Sequence, residues 1–430
     1  MRFRTITFTL CASLVAALYG CQHHPRKPLD ELSHEVAYRA RVSPNAVFGS
    51  AMTLEQLERA AAEFNPALRN LQQALRLAES DASTAGLWAD PVIGFSLERM
   101  LKGEGPLWSV GALFSLEIPI SGVPSSRKRL AQGRVDVMNN ALCAAQWQSK
   151  TTLRLAYIEY SRTIAKIQVL DELAARLGEL ESRTDRIAAA GEMSRIAQRM
   201  YNVEARMART ELAGMIAELD VLRLRVLEVA GLPSTTLIAP DPDFAFTAPK
   251  SVVVDALHPE LVMARAEYEL AERELELELR MQYPDLMLGA GPIFEGSDRS
   301  MMGEFGIPLP LWNANRAGIA RALAMREIER VRFEGMKETL ENRAAASHAM
   351  FIARQLERNA MERDVLPLAD AQLNDVMIMA EVAKVEPAMI MQALRQVSEI
   401  KLKIVDARAD CAVANAELVM NTYQREGGEP

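Results

Sequence analysis

From Ser126 to Ala190 the chain contains no proline, and apolar residues recur at Ile167, Leu170, Leu173, Leu177, Leu180 and Ile187. Steps of three, four and seven residues place these side chains on one stripe of a helix. A continuous helix of about 65 residues is roughly 100 Å long. A chain of 430 residues cannot bury such a helix in a compact domain. Side-by-side packing around a tube, in contrast, buries one narrow stripe on each helix. Gly191 interrupts the pattern. A return helix then runs to Ala230, with Ile196, Met200, Val203 and Met207 in phase, and Gly231-Leu232-Pro233 ends it.

The same plan occurs twice. Asn65-Pro66-Ala67-Leu68 aligns without a gap on His258-Pro259-Glu260-Leu261, Leu77-Ala78-Glu79 on Leu270-Ala271-Glu272, and Pro91 on Pro284. The helical stripe Leu68, Leu71, Leu75, Ala78 and Ala82 has its counterpart in Leu261, Ala264, Tyr268, Ala271 and Leu275. The second long helix is expected from Arg316 to about Ala380, kinked at Pro367, with a turn near Glu381 to Pro387. In the last helix Ile390, Ala393, Val397, Ile400, Ile404, Ala407, Cys411 and Ala414 form a heptad seam.

After each aligned proline the period changes from helix to strand. Trp108, Val110, Ala112, Phe114, Leu116 and Ile118 alternate with a mainly small or polar set that includes Ser109, Gly111 and Ser115. Strands are expected over Pro91–Met100, Trp108–Ile120, Pro284–Phe294 and Ser300–Leu311. They are joined in pairs by the turns Gly103-Glu104-Gly105-Pro106 and Glu295-Gly296-Ser297-Asp298. About ten residues per strand is the length that crosses a bilayer at a tilt. Four strands cannot close a barrel, and open sheet edges are not tolerated in lipid. Such a chain must oligomerise if its strands cross a membrane, and three copies would supply twelve strands.

The N-terminus gives an address. Arg2 and Arg4 precede an apolar run from Ile6 to Leu18, too short to span a bilayer and typical of a secretory signal. Leu18-Tyr19-Gly20-Cys21 resembles a bacterial lipobox. That resemblance implies lipidation at Cys21, and Gln22 beside it fits sorting to the outer membrane; the alternative is ordinary signal cleavage beside an incidental cysteine. Residues 1–20 then form the signal peptide and 21–50, with Pro25, Pro28 and Pro44, a lipid-anchored tether. The first repeat spans 51–238, a linker 239–250, the second repeat 251–424 and a tail 425–430.

Other chemistry is sparse. The formal net charge of −8 with no basic stripe argues against nucleic acid. The sequence contains no phosphate loop, HExxH or Ser/His/Asp ordering, so neither an enzyme nor a cofactor is expected. Cys11, Cys21, Cys143 and Cys411 have no zinc-like spacing, and free buried thiols are expected at Cys143 and Cys411, the alternative being that these two pair in an oxidising periplasm. His258 beside Pro259 is expected to cap or pack. Met301-Met302, Met377-Met379 and Met389-Met391 offer thioethers to soft metals such as copper or silver; core packing is the other reading.

Taken in order, several segments resemble the TolC-like outer-membrane efflux family, the exit ducts of tripartite pumps. They are His258-Pro259-Glu260-Leu261, Tyr283-Pro284-Asp285-Leu286, Ile307-Pro308-Leu309-Pro310-Leu311-Trp312, Asn315-Arg316-Ala317-Gly318 and Gly231-Leu232-Pro233. The resemblance covers nearly all of the mature chain. It implies a mixed α/β, mainly α fold: long antiparallel helical hairpins in a periplasmic α-barrel, and four strands per chain in a trimeric twelve-stranded β-barrel. The partners it implies are two further copies, a periplasmic adaptor and an inner-membrane pump. Metal ions or small toxic compounds are the substrates considered. Adaptor docking is expected at the tips, at Gly191, Glu192 and Lys384, although Ala380-Glu381-Val382-Ala383-Lys384 departs from the family's glycine-centred second tip. Asp370 and Asp375 are candidates for an acidic entrance gate, or else lie on a solvated outer face. The rival reading is a periplasmic coiled-coil lipoprotein serving as adaptor or spacer.

Overall fold

A computed structural model describes residues 25–41, 51–99, 101, 108–244, 252–382 and 386–423. Cys21, Lys384 and the turn at 103–106 lie outside the described residues. The chain divides into two units at Arg41. In the first unit, helix α1 (Glu31–Arg39) is capped by Asp30, whose Oδ1 accepts from Ser33 N at 3.0 Å. A helix therefore stands inside the segment expected to be a tether.

The second unit contains α2 (Leu54–Phe64), α3 (Pro66–Thr84), β1 (Val92–Arg99), β2 (Trp108–Ile118), α4 (Val123–Ala189) and α5 (Arg195–Ala230). There follow α6 (Pro259–Arg280), β3 (Leu286–Glu295), β4 (Asp298–Gly306), α7 (Arg316–Ala360), a π-helical turn (Met361–Val365), α8 (Leu366–Val382) and α9 (Pro387–Thr422). At 67 residues, α4 is one helix of about 100 Å. Pro367 acts one turn upstream of itself. It has no N–H to bond the carbonyl of Arg363, and the chain takes up the mismatch in the π-turn. Glu362 of that turn is held to α9 by Arg408 Nε at 2.5 Å.

The duplication is written into the backbone joints. Asn65 and His258 cap α3 and α6, with proline following each. Asn65 Oδ1 accepts from Ala67 N, and its Nδ2 donates to the Val229 carbonyl at 2.8 Å, near the end of α5. His258 Nδ1 accepts from Glu260 N, and its Nε2 bonds the Met420 carbonyl at 3.0 Å, near the end of α9. Both long helices start from a left-handed residue, Gly122 (φ +79°) and Asn315 (φ +53°), and both return helices end on one, Gly231 (φ +68°) and Tyr423 (φ +54°). Gly231 is required twice over, since a Cβ there would lie 2.4 Å from the Phe64 carbonyl oxygen.

The helices form a layer in which α5 packs on α4, α4 on α9, and α9 on α7 and α8. Two clusters anchor it. Leu57, Leu153, Tyr157, Val226 and Leu227 join α2 to the hairpin of α4 and α5. Leu177, Ala205, Ala208, Leu373, Leu394 and Val397 join the two hairpins. The linker is pinned to α4: the Tyr157 hydroxyl donates to the Ala239 carbonyl at 2.7 Å, and Asp241 N donates to Ser161 Oγ at 3.1 Å. Burial, with Asp241 nearby, pushes the Tyr157 hydroxyl up to about 12.

Candidate functional site: the sheet, the helix edges and the tips

The four strands form one antiparallel sheet in the order β1-β2-β3-β4. Its centre, the pairing of β2 with β3, joins the two repeats (Ile118 opposite Leu286, Val110 opposite Phe294). Asp285 supports this junction by accepting from Ser121 N at 3.1 Å. The β3–β4 turn is Gly296-Ser297, with Gly296 at φ +61° and Glu295 opposite Asp298. The fourth strand stops at Gly306 and does not reach Leu311 as expected, because Pro308 and Pro310 bring no N–H to a ladder.

Register fixes the faces. Opposite residues share a side, so Ile93, Phe95 and Leu97 stand with Val110, Ala112, Phe114, Leu116 and Ile118, then with Leu288, Ala290, Pro292 and Phe294, then with Met301 and Phe305. Phe95 is 75% and Phe114 51% exposed within one protomer, so none of the described residues covers this apolar face. The other face carries Ser96, Ser109, Ser115, Ser300 and several glycines, with Val92, Leu113, Met287, Ile293 and Met302 among them. It also holds every carboxylate of the strands: Glu98, Glu117, Glu295, Asp298 and Glu304. Among the described residues the outer edges of β1 and β4 have no partner.

The helix layer is unfinished in the same way. In α5, Tyr201, Ala205, Ala208, Leu212, Leu219, Leu222 and Val226 face the protomer. The stripe read from the sequence, Ile196, Met200, Val203 and Met207, is a different one, and it is exposed. It continues in heptad steps through Thr210, Gly214, Ala217, Val221 and Leu224, all exposed. The helix therefore has two seams, and among the described residues only one is occupied. At the other side of the layer, α7 exposes Ala324, Ile328, Val331, Ala345, Ala349, Ile352 and Leu356 at heptad-compatible positions.

At the tips, Gly191 adopts φ +79° with nothing within 4 Å of a Cβ placed there, and Glu192 is exposed. Both sit at the bend between α4 and α5. Asp370 lines a groove of about 380 Å³ with Arg176, Glu179, Arg183, Asn374 and Met377. Asp375 is exposed one and a half turns on, about 140° around the helix from Asp370. The two carboxylates therefore do not share a face. Strand alternation separates Met301 from Met302, and Met391 is buried while Met389 is exposed. These methionine pairs do not converge as ligand sets. Among the described residues no three His, Cys, Asp or Glu side chains are grouped as metal ligands would be, and no helix is long and apolar enough to cross a membrane. Cys411 is buried, whereas Cys143, expected to be buried, is exposed; both are free thiols. The heptad pattern that identified α5 in the sequence also carried its second seam, but periodicity alone could not show which stripe packs inside the protomer.

No protein-family model and no curated protein sequence matches the chain. Solved structures do match. The outer membrane protein VceC of Vibrio cholerae aligns with a TM-score of 0.72 at 14% identity, covering 86% of this chain and 95% of that one. CusC, solved in a study of folding and transmembrane channel formation, aligns at 0.72 and 15% over 94% and 98%. The open MtrE outer membrane channel of Neisseria gonorrhoeae aligns at 0.70 and 15% over 94% and 98%. Nearly complete coverage in both directions, with the four-stranded sheet and paired long hairpins, gives this chain the TolC-like fold of outer-membrane channels.

Proposed function

We propose that the protein is an outer-membrane efflux duct, a passive, non-enzymatic exit channel formed by three copies. The observation that carries this reading is the sheet: one face is apolar and exposed, the other is mainly polar or small, and among the described residues both edges are unpaired. Unpaired backbone groups in hydrocarbon cost several kcal/mol each. Edge-to-edge pairing of β4 with β1 of the next copy removes them and closes twelve strands with the polar face inward. The apolar seams at the two sides of the helix layer support head-to-tail closure of the same kind.

In this reading the helices extend into the periplasm, and the tips at Gly191, Glu192 and Lys384 meet a periplasmic adaptor that couples the duct to an inner-membrane pump. Asp370 and Asp375 lie near the entrance and act there separately, since they occupy different faces of α8. Cys21 carries the lipid anchor in the outer membrane. Metal ions and small toxic compounds are the cargo classes in view, with selection residing mainly in the pump.

The test is the membrane-extracted protein itself. Its mass after cross-linking should be that of a trimer, and the trimer should conduct in planar bilayers. Photocrosslinkers at Glu192 and Lys384 should capture the adaptor in cells, whereas one at Glu228, at the far end of α5, should not. A monomer that passes no current would refute the duct. Capture from Glu228 with none from the tips would refute the orientation.

A further inference from the structure

The strands carry only two cations, Arg99 and Arg299, and both stand on the apolar face. This is the reverse of the carboxylates, all of which lie on the polar face. Each arginine is placed over an aromatic ring of its hairpin partner strand: Arg99 Cζ lies 5.4 Å from the centre of Trp108, and Arg299 Cζ lies 6.0 Å from that of Phe294. Both arginines are exposed. Neither forms an ion pair with a carboxylate among the described residues. Both pairs lie at the end of the sheet away from the helices. From Ile118 to Trp108 is ten steps of one strand, about 33 Å along the chain and about 25 Å along the membrane normal at a tilt of about 40°. That is the height of the apolar band of an outer-membrane barrel.

A guanidinium is costly in the middle of that band and nearly neutral at its rim. At the rim, a planar fork of donors held over an aromatic ring, with no carboxylate to neutralise it, suits a phosphate oxygen pair. Resting on the channel reading above, we infer that the Arg99–Trp108 and Arg299–Phe294 pairs form a binding belt for phosphate-bearing lipid headgroups at the outer rim of the barrel. Closure of three copies repeats the two pairs to give six such contacts. The aromatic rings hold the guanidinium groups outward, and the acidic polar face keeps anions from binding on the inner side at the same level.

The experiment uses the full-length oligomer reconstituted in vesicles of phosphatidylcholine with increasing phosphatidylglycerol. Its thermal dissociation midpoint is followed against lipid composition. Wild type should be stabilised by phosphatidylglycerol, and Arg99→Gln with Arg299→Gln should weaken the half-saturating response by about tenfold or more. Arg99→Lys with Arg299→Lys should retain part of it, and Glu98→Gln, on the opposite face, should leave it unchanged. Equal responses in wild type and the Gln pair would overturn the inference. So would full reproduction of the stabilisation by inorganic phosphate in pure phosphatidylcholine. A wild-type oligomer that neither inserts nor conducts overturns the channel reading itself, whereas an inserted, conducting oligomer without lipid preference overturns this inference alone.

Discussion

A charge placed at Phe114 tests the membrane assignment directly. Phe114 lies in the row Ile93–Phe114–Ala290–Gly303. That row is four residues from the Val110–Phe294 row on one side and four from the Ile118–Leu286 row on the other. Four residues are about 13 Å of strand, or about 10 Å along the normal at a tilt of about 40°. Phe114 therefore sits near the bilayer midplane, where arginine on the lipid face costs about 2–4 kcal/mol. Three independent copies make that about 6–12 kcal/mol per closed barrel. Ser115, one residue on, points to the polar face, and arginine there should cost no more than about 0.5 kcal/mol. Phe114 is half exposed within the protomer, so Phe114→Ala serves as the control for lost packing. Urea-dependent insertion into phosphatidylcholine vesicles, read by heat-sensitive migration of the oligomer, gives the free energies. Equal penalties for Phe114→Arg and Ser115→Arg, or none for either, would refute the facing of the sheet.

The buried imidazole of His258 makes stability depend on pH. Burial lowers its pKa below the ordinary 6.5 despite the hydrogen bond to the Met420 carbonyl. The unfolded chain therefore takes up the proton first, and stability is lost as pH falls below 6.5. His258→Asn, which copies the Asn65 cap of the first repeat, should flatten that slope in melting temperatures recorded between about pH 5 and 8. Val203→Glu with Met207→Glu places charge in the open seam of α5 and should cost roughly 3–6 kcal/mol per interface. Light scattering should then report dissociation at unchanged helicity, whereas Glu218→Gln should leave the oligomer intact. Cys21→Ser should abolish acylation in mass spectra of the mature N-terminus, and an unmodified wild-type N-terminus at another residue would remove the anchor from the scheme.

The sequence by itself determined the elements and their repetition, because those depend on local chemistry. Proline after Asn65 and His258, glycine at 191 and 231, and the switch from three-and-four spacing to alternation are each read from a few neighbouring residues. The faces of β2 were legible in the same way, since alternation needs no partner. The bend at Gly191 was located, but what surrounds Asp370 was not, because Arg176 and Arg183 reach its groove from a helix nearly two hundred residues away in sequence. Only the tertiary structure decided that β2 pairs with β3, which makes the two repeats one sheet with two open edges. It also decided which of two equally periodic seams on α5 packs inside the protomer. Both seams repeat at heptad spacing and both are largely apolar or small, so periodicity ranks them alike. The choice rests on which seam meets Leu177 of α4 and which is left for a neighbouring molecule, and that is a property of the packed helices together.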